Sequence, residues 1–204
     1  MKILSNYLAV EGLDGSGKSS VVRALHDRLV ATNDQVIAYH DAPYGDNLGR
    51  IVNGIWQEPH GFDDETLLLL AAAASIRAQR LLPAEVLSGS QGVVISDRCP
   101  IGTYAYLQSV QFDHFLDVHR GFLFPRTTVL LTVEVELAVE RLIARGASSQ
   151  ELRVLRDQFP MVTRRYADVA SRIRDLGGSF VVMPIAQGIT ADDIAERIVP
   201  VFIP

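Results

Sequence analysis

The amino-acid sequence predicts an α/β fold, one parallel sheet with helices on both faces, and three observations carry that reading. Five short apolar runs bounded by turn residues alternate with longer helical stretches. A glycine-rich segment, Gly12-Leu13-Asp14-Gly15-Ser16-Gly17-Lys18-Ser19, joins the first run to the first helical stretch and fits the phosphate-loop pattern G-x-x-x-x-G-K-[ST]. The chain has 204 residues, 48% of them hydrophobic, enough for one substantial core and too few for a second full domain. The expectation is a single P-loop domain over residues 1–204 with five strands.

In order, strands are expected at 7–10, 35–39, 92–95, 127–133 and 179–183, each a continuous run rather than an alternating one, the pattern of strands buried on both faces. Helices are expected at 18–30, 48–56, 63–87, 104–122, 134–145, 151–176 and 191–199. Pro83 lacks an amide hydrogen, so it kinks the 63–87 helix or ends its first part. Gly146-Ala147-Ser148-Ser149 reads as an exposed, flexible stretch suited to a lid over about 141–153. In such an alternation the chemistry lies at the carboxyl ends of the strands.

Composition excludes several classes of function. A formal net charge of −5 does not suit a surface that neutralises a polynucleotide backbone, so no nucleic acid polymer is expected as partner. Cys99 is the single cysteine, which excludes an internal disulfide framework and fits a reducing, cytoplasmic compartment. The opening Met1-Lys2-Ile3-Leu4 has no secretory pattern. The most apolar run, 67–74, is far short of the roughly 20 residues that cross a bilayer, so no membrane partner is expected.

The phosphate loop carries the chemistry. Its glycines, Gly12, Gly15 and Gly17, let successive backbone N–H groups turn inward around phosphate oxygens at a helix N-terminus, with Ser16 and Ser20 completing the cradle. Lys18 then reaches the β- and γ-phosphates of ATP, and the Ser19 hydroxyl is placed to ligate Mg²⁺. A second signal is Val93-Val94-Ile95-Ser96-Asp97-Arg98, an apolar strand ending in an acid and a base. There Asp97 holds the magnesium through water or orients the phosphate loop, and Arg98 faces a transferring phosphoryl group. His114 and His119, five apart, miss metal-ligand spacing and read as surface or packing residues.

Taken with Ile76-Arg77-Ala78-Gln79, Ala105-Tyr106, the segment from Glu140-Arg141 to Arg145-Gly146, and Arg165-Tyr166, these motifs make nearly the whole chain resemble the thymidylate kinase family. The resemblance implies a P-loop NTPase fold, a homodimer, and transfer of the γ-phosphoryl group of Mg-ATP to a nucleoside monophosphate, dTMP. It implies that Asp14 lies near the acceptor sugar and phosphate, that Arg77 hydrogen-bonds the base, that Arg98 holds the acceptor phosphate, that Thr103 meets the base edge and that Tyr106 lies under the ribose. No arginine lies inside the loop, so a lid arginine is expected at the transition state, Arg145 first, then Arg141 and Arg153. Adenine recognition is expected after the last strand, around Pro184-Ile185-Ala186-Gln187, with Gln187 as the contact.

The chain departs from the family pattern on the acceptor side. Ala73 stands where an aromatic usually stacks on thymine, and such stacking is worth about 1–3 kcal/mol. After the second strand the chain reads Tyr39-His40-Asp41-Ala42-Pro43-Tyr44-Gly45, where the family often has Arg-Glu-Pro. Asn53 takes the place of a phosphate-binding arginine, with Arg50 one turn earlier as a substitute. Cys99 and Leu107 replace an aromatic and a glutamine. Three readings therefore stand: a dTMP-type nucleotide kinase, a kinase of a nucleoside or other hydroxyl compound with Asp41 as general base, and a nucleotide-binding regulatory protein. In the second, Asp41 is catalytic; otherwise it is a turn or capping acid before Pro43.

Overall fold

A computed structural model describes residues 2–32, 35–42, 45–57, 61–87 and 92–202; Pro43 and Tyr44 of the variant acceptor segment lie outside them. The elements follow in the order β1 (Lys2–Gly12), α1 (Lys18–Val30), β2 (Val36–His40), α2 (Asn47–Gln57), α3 (Asp64–Arg80), α4 (Ala84–Leu87), β3 (Val93–Asp97), α5 (Pro100–Tyr106), α6 (Phe112–Val118), β4 (Leu123–Val133), α7 (Val135–Ala144), α8 (Ser149–Asp175), β5 (Ser179–Ile185) and α9 (Ala191–Phe202). The five strands form one all-parallel sheet in the order β2-β3-β1-β4-β5.

The central strands are buried as their unbroken apolar runs require. Tyr7, Leu8, Ala9 and Val10 of β1 and Val94 and Ile95 of β3 are at most 1% exposed. One polar seam crosses this core, where the Tyr7 hydroxyl shares hydrogen bonds with those of Tyr39 (2.7 Å) and Ser96 (2.9 Å). Register sets the site. Val10 and His40 both stand opposite Asp97, so the ends of β1, β2 and β3 open on one edge of the sheet.

The 63–87 helix is divided at Pro83, as the proline predicts, α3 ending at Arg80 and α4 beginning after Pro83. The chain differs from the sequence reading in two other places. The 104–122 helix is instead two short ones. Pro100 at the first turn starts α5 early, Leu107 then turns extended, and Gln111, also extended, starts α6. Carbonyls freed by that break are taken up by Arg165 of α8, whose guanidinium donates to Tyr104 O (3.1 Å), Val110 O (3.0 Å) and Gln108 O (3.4 Å) over the Tyr104 ring. The 146–149 stretch is a tight turn. Gly146 has φ 87°, Ala147 N–H donates to Leu142 O, and Ser148 and Glu151 form a capping box that begins α8. Among the described residues, no helix is long and apolar enough to cross a membrane.

Candidate active site

The phosphate loop folds around glycines that nothing else can replace. Gly12 and Gly15 have φ 147° and 82°, and a Cβ would stand 2.5 Å from the carbonyl oxygen of Leu131 at the first and of Ala138 at the second. Ser16 N–H closes the turn on Leu13 O (3.1 Å), and Gly17 at φ 93° starts α1 with no side chain over the helix end. Lys18, 7% exposed, is drawn back over the loop, with Nζ 2.9 Å from Leu13 O and 3.6 Å from the Asp14 carboxylate. Burial, and then the nearby Arg98 cation, lower its pKa to about 8. Ser19 Oγ donates to Asp97 Oδ2 at 2.5 Å.

Two buried oxygens here, Ser16 Oγ and Asp97 Oδ1, have no hydrogen-bond partner, and an orphaned buried oxygen is costly unless a ligand completes it. The paired Ser19 hydroxyl and Asp97 carboxylate form a hard oxygen donor set, which suits Mg²⁺. Around them lies a cleft of about 660 Å³, lined by the loop from Asp14 to Val21, by Asp97, Arg98, Arg141 and Arg145, and by apolar Ile185, Ile189 and Ile194. Gln187 is exposed and outside this lining, between two isoleucines that belong to it.

A second cleft, about 440 Å³, adjoins the first, and Asp14, His40, Arg98, Leu142 and Arg145 line both. At the junction Arg98 is held in the left-handed region, φ 70°, with its Nη2 2.5 Å from Asp14 Oδ1 and its guanidinium carbon 5.6 Å from the Tyr106 ring centre. Loss of water around Asp14 opposes ionisation, yet Arg98, Lys18 and Arg145 together hold its pKa down to about 2. Thr103 and Tyr106 line the second cleft from α5, and Trp56 meets Tyr106 edge-on at 6.2 Å between ring centres.

Asp41 lies on the wall of this second cleft, 5% exposed. Its Oδ2 accepts the Ser75 hydroxyl at 2.6 Å, while Oδ1 is buried without a partner. Burial is the main cause that raises its pKa to about 7. Asn53 also lines the cleft but donates to Ala42 O and Gly49 O, both at 2.8 Å, which ties α2 to the end of β2.

Several expected contacts are not brought into the clefts in this arrangement. Arg77 is 54% exposed and pairs with Asp46 at 2.7 Å, and Arg50 donates to Asn47. Neither lines either cleft. The face of α3 turned toward the second cleft carries Leu67, Ala71 and Ser75, while Ala73 is exposed. Of the lid arginines, Arg145 lines both clefts, Arg141 reaches toward Gly15 O (3.3 Å), and exposed Arg153 lines neither. His119 is a packing residue, fully buried among Phe115, Phe122 and Phe124, and exposed His114 pairs with Glu65 at 2.8 Å.

Sequence reasoning gave no site role to Glu11, Tyr166, Ser75 or Trp56. Glu11 carried a signal, an acid closing an apolar strand directly before the loop, and Tyr166 stood in the Arg165-Tyr166 motif without a task.

A family model described as Thymidylate kinase matches residues 10–184. A Thymidylate kinase of Vibrio campbellii is 27% identical over 205 residues, covering 95% of this chain and 93% of that one. A Thymidylate kinase of Cereibacter sphaeroides is 34% identical over 143 residues, covering 66% and 65%. The crystal structure of thymidylate kinase from Ehrlichia chaffeensis superimposes with a TM-score of 0.71 over 98% of this chain and 99% of that one, and at 17% identity it speaks for the fold.

Proposed function

The chain belongs to the thymidylate kinase family, and from that premise we propose that it transfers the γ-phosphoryl group of ATP to dTMP. The observation that carries this reading is the junction: two clefts, one built on the phosphate loop, meet at Arg98, Asp14 and Arg145. A donor phosphate on Lys18 and an acceptor phosphate on Arg98 then face each other in line. An acceptor phosphate oxygen bonds to the γ-phosphorus as the bond to the β–γ bridging oxygen breaks, leaving ADP and dTDP.

Each residue has a task in this reading. The loop amides and Lys18 hold the donor, Arg98 holds the acceptor phosphate, and Arg145, with Arg141 beside the loop, offsets charge on the group in flight. Ser19 and Asp97 would hold Mg²⁺, which would supply positive charge against the donor phosphates. Tyr106 and Trp56 form an aromatic wall for the nucleoside. The lid segment, about 141–153, carries Arg145 at the junction and keeps water from competing with the acceptor. A phosphate acceptor is mostly dianionic at neutral pH and needs no general base, so Asp41 has none of the proton-abstracting work that a hydroxyl acceptor would require. Exposed Leu69 and Ala73, one turn apart on α3, suit a homodimer contact, and a cytoplasmic site of action fits the lone buried cysteine.

An ADP-release assay with Mg-ATP against nucleoside monophosphates, the matching nucleosides and a no-acceptor control tests the reading. dTMP should give the highest kcat/KM, and Lys18→Met should remove the activity. Preference for thymidine over dTMP, or ADP release indifferent to acceptor, would sink it.

A further inference from the structure

Glu11 is the last residue before the phosphate loop and is fully buried. Its carboxylate accepts two neutral donors, the Cys99 N–H at 2.7 Å and the Tyr166 hydroxyl at 2.9 Å. Burying a carboxyl group is unfavourable, so what it holds in place matters.

What it holds is the turn at Arg98. Among the described residues Arg98 is the one non-glycine residue with positive φ, a conformation unfavourable for a bulky residue. Two successive amides fasten that turn to two successive residues of β1: Arg98 N–H donates to Val10 O at 3.0 Å, and Cys99 N–H donates to Glu11. The turn swings the Arg98 side chain off the line of β3 and back to Asp14 at the junction of the clefts. Gly102 keeps the space open, since a Cβ there would stand 2.6 and 2.7 Å from the two carboxylate oxygens. Tyr166 comes from α8, the helix that also lines the acceptor cleft with Glu151, Leu155 and Gln158.

We propose that Glu11 is a positioning residue that fixes the Arg98 turn, with Tyr166 as its lock, and that it acts on phosphoryl transfer only through Arg98. This rests on the reading of Arg98 as the acceptor-phosphate arginine.

A double-mutant cycle tests it: wild type, Glu11→Gln, Arg98→Ala and the double variant, assayed with dTMP and Mg-ATP. Glu11→Gln is close to isosteric, and a misplaced arginine should cost about 30-fold in kcat/KM for dTMP with the KM for ATP within about twofold. Arg98→Ala should cost more, and adding Glu11→Gln to it should change the rate by less than about twofold. Independent, multiplying losses, or a parallel loss of ATP affinity, would overturn the proposal. Tyr166→Phe keeps the carboxylate and should show a smaller loss with the same dependence on Arg98; it carries the cycle if Glu11→Gln does not fold. A second readout needs no turnover. The Arg98 side-chain N–H resonance, assigned by its disappearance in Arg98→Ala, should shift or broaden in Glu11→Gln and Tyr166→Phe, and an unmoved resonance would refute the assignment. Wild-type inactivity with dTMP would instead remove the acceptor reading, while the resonance still decides the role of Glu11.

Discussion

Asp41→Asn should make this protein more stable at neutral and alkaline pH. The carboxyl is 5% exposed; burial drives its pKa from the ordinary 3.8 to about 7, Ser75 and Arg98 pull it down, and Glu11 pushes it up. Because the folded-state value is raised, the folded chain binds more protons than the unfolded one between these limits, so stability falls as pH rises from about 4 to 7. At about 1.4 kcal/mol per pH unit the penalty is about 4 kcal/mol at pH 8, about 2 at pH 5 and under 1 at pH 4. Asparagine cannot ionise, and its side-chain oxygen still accepts from Ser75, so the variant escapes that penalty. For a chain of 204 residues the difference corresponds to about 10 °C in Tm at pH 8, shrinking toward zero at pH 4. The assay is thermal and urea unfolding of both proteins from pH 4 to 8 in EDTA, which keeps divalent cations off neighbouring Asp97. A gap that does not change with pH, or a less stable variant at pH 8, would refute the reasoning.

Three further outcomes follow from the same structure. Gly15→Ala must place a Cβ 2.5 Å from Ala138 O at φ 82°, so it should abolish ATP binding in calorimetry and lower stability by about 2 kcal/mol or more. Arg165→Lys cannot reach the carbonyls of Tyr104, Gln108 and Val110 together, and should raise the KM for the acceptor with the KM for ATP little changed, at a cost of about 1–2 kcal/mol in urea unfolding. Burial lowers the His119 pKa to about 4, so its neutral form favours the fold above pH 6.5 and that contribution, about 3 kcal/mol, is lost as pH falls toward 4. His119→Leu should flatten this acid limb in the unfolding profile.

The strands and the phosphate loop were legible because each is written locally: an unbroken apolar run, or glycine, lysine and serine at fixed spacing. The split of 104–122 was not, since what ends α5 is partly Arg165, reaching from another helix to the carbonyls of Gln108 and Val110 past Tyr106. The face of α3 was hidden for a different reason. Ala71 to Ala74 are four identical small residues with no periodicity, so the sequence could not tell that Ala71 and Ser75, rather than Ala73 and Arg77, line the acceptor cleft. Glu11 and Tyr166 stand 155 residues apart and meet only through the fold.

The electrostatics of the junction explain how an acidic protein keeps a site for two anionic substrates. Lys18 and Arg98, the cations we propose for the donor and acceptor phosphates, both lean on one carboxylate, Asp14, at 3.6 and 2.5 Å. Burial first, and then repulsion from neighbouring Arg98, lowers the Lys18 pKa, and Asp14 offsets part of that repulsion. Phosphate oxygens arriving at Lys18 and Arg98 therefore compete with Asp14 for contacts already made, so part of the attraction is spent on exchange rather than gained outright. That exchange is sensitive to where Arg98 points, which is why a buried carboxylate behind the turn, touching no substrate, has so much bearing on a reaction in front of it.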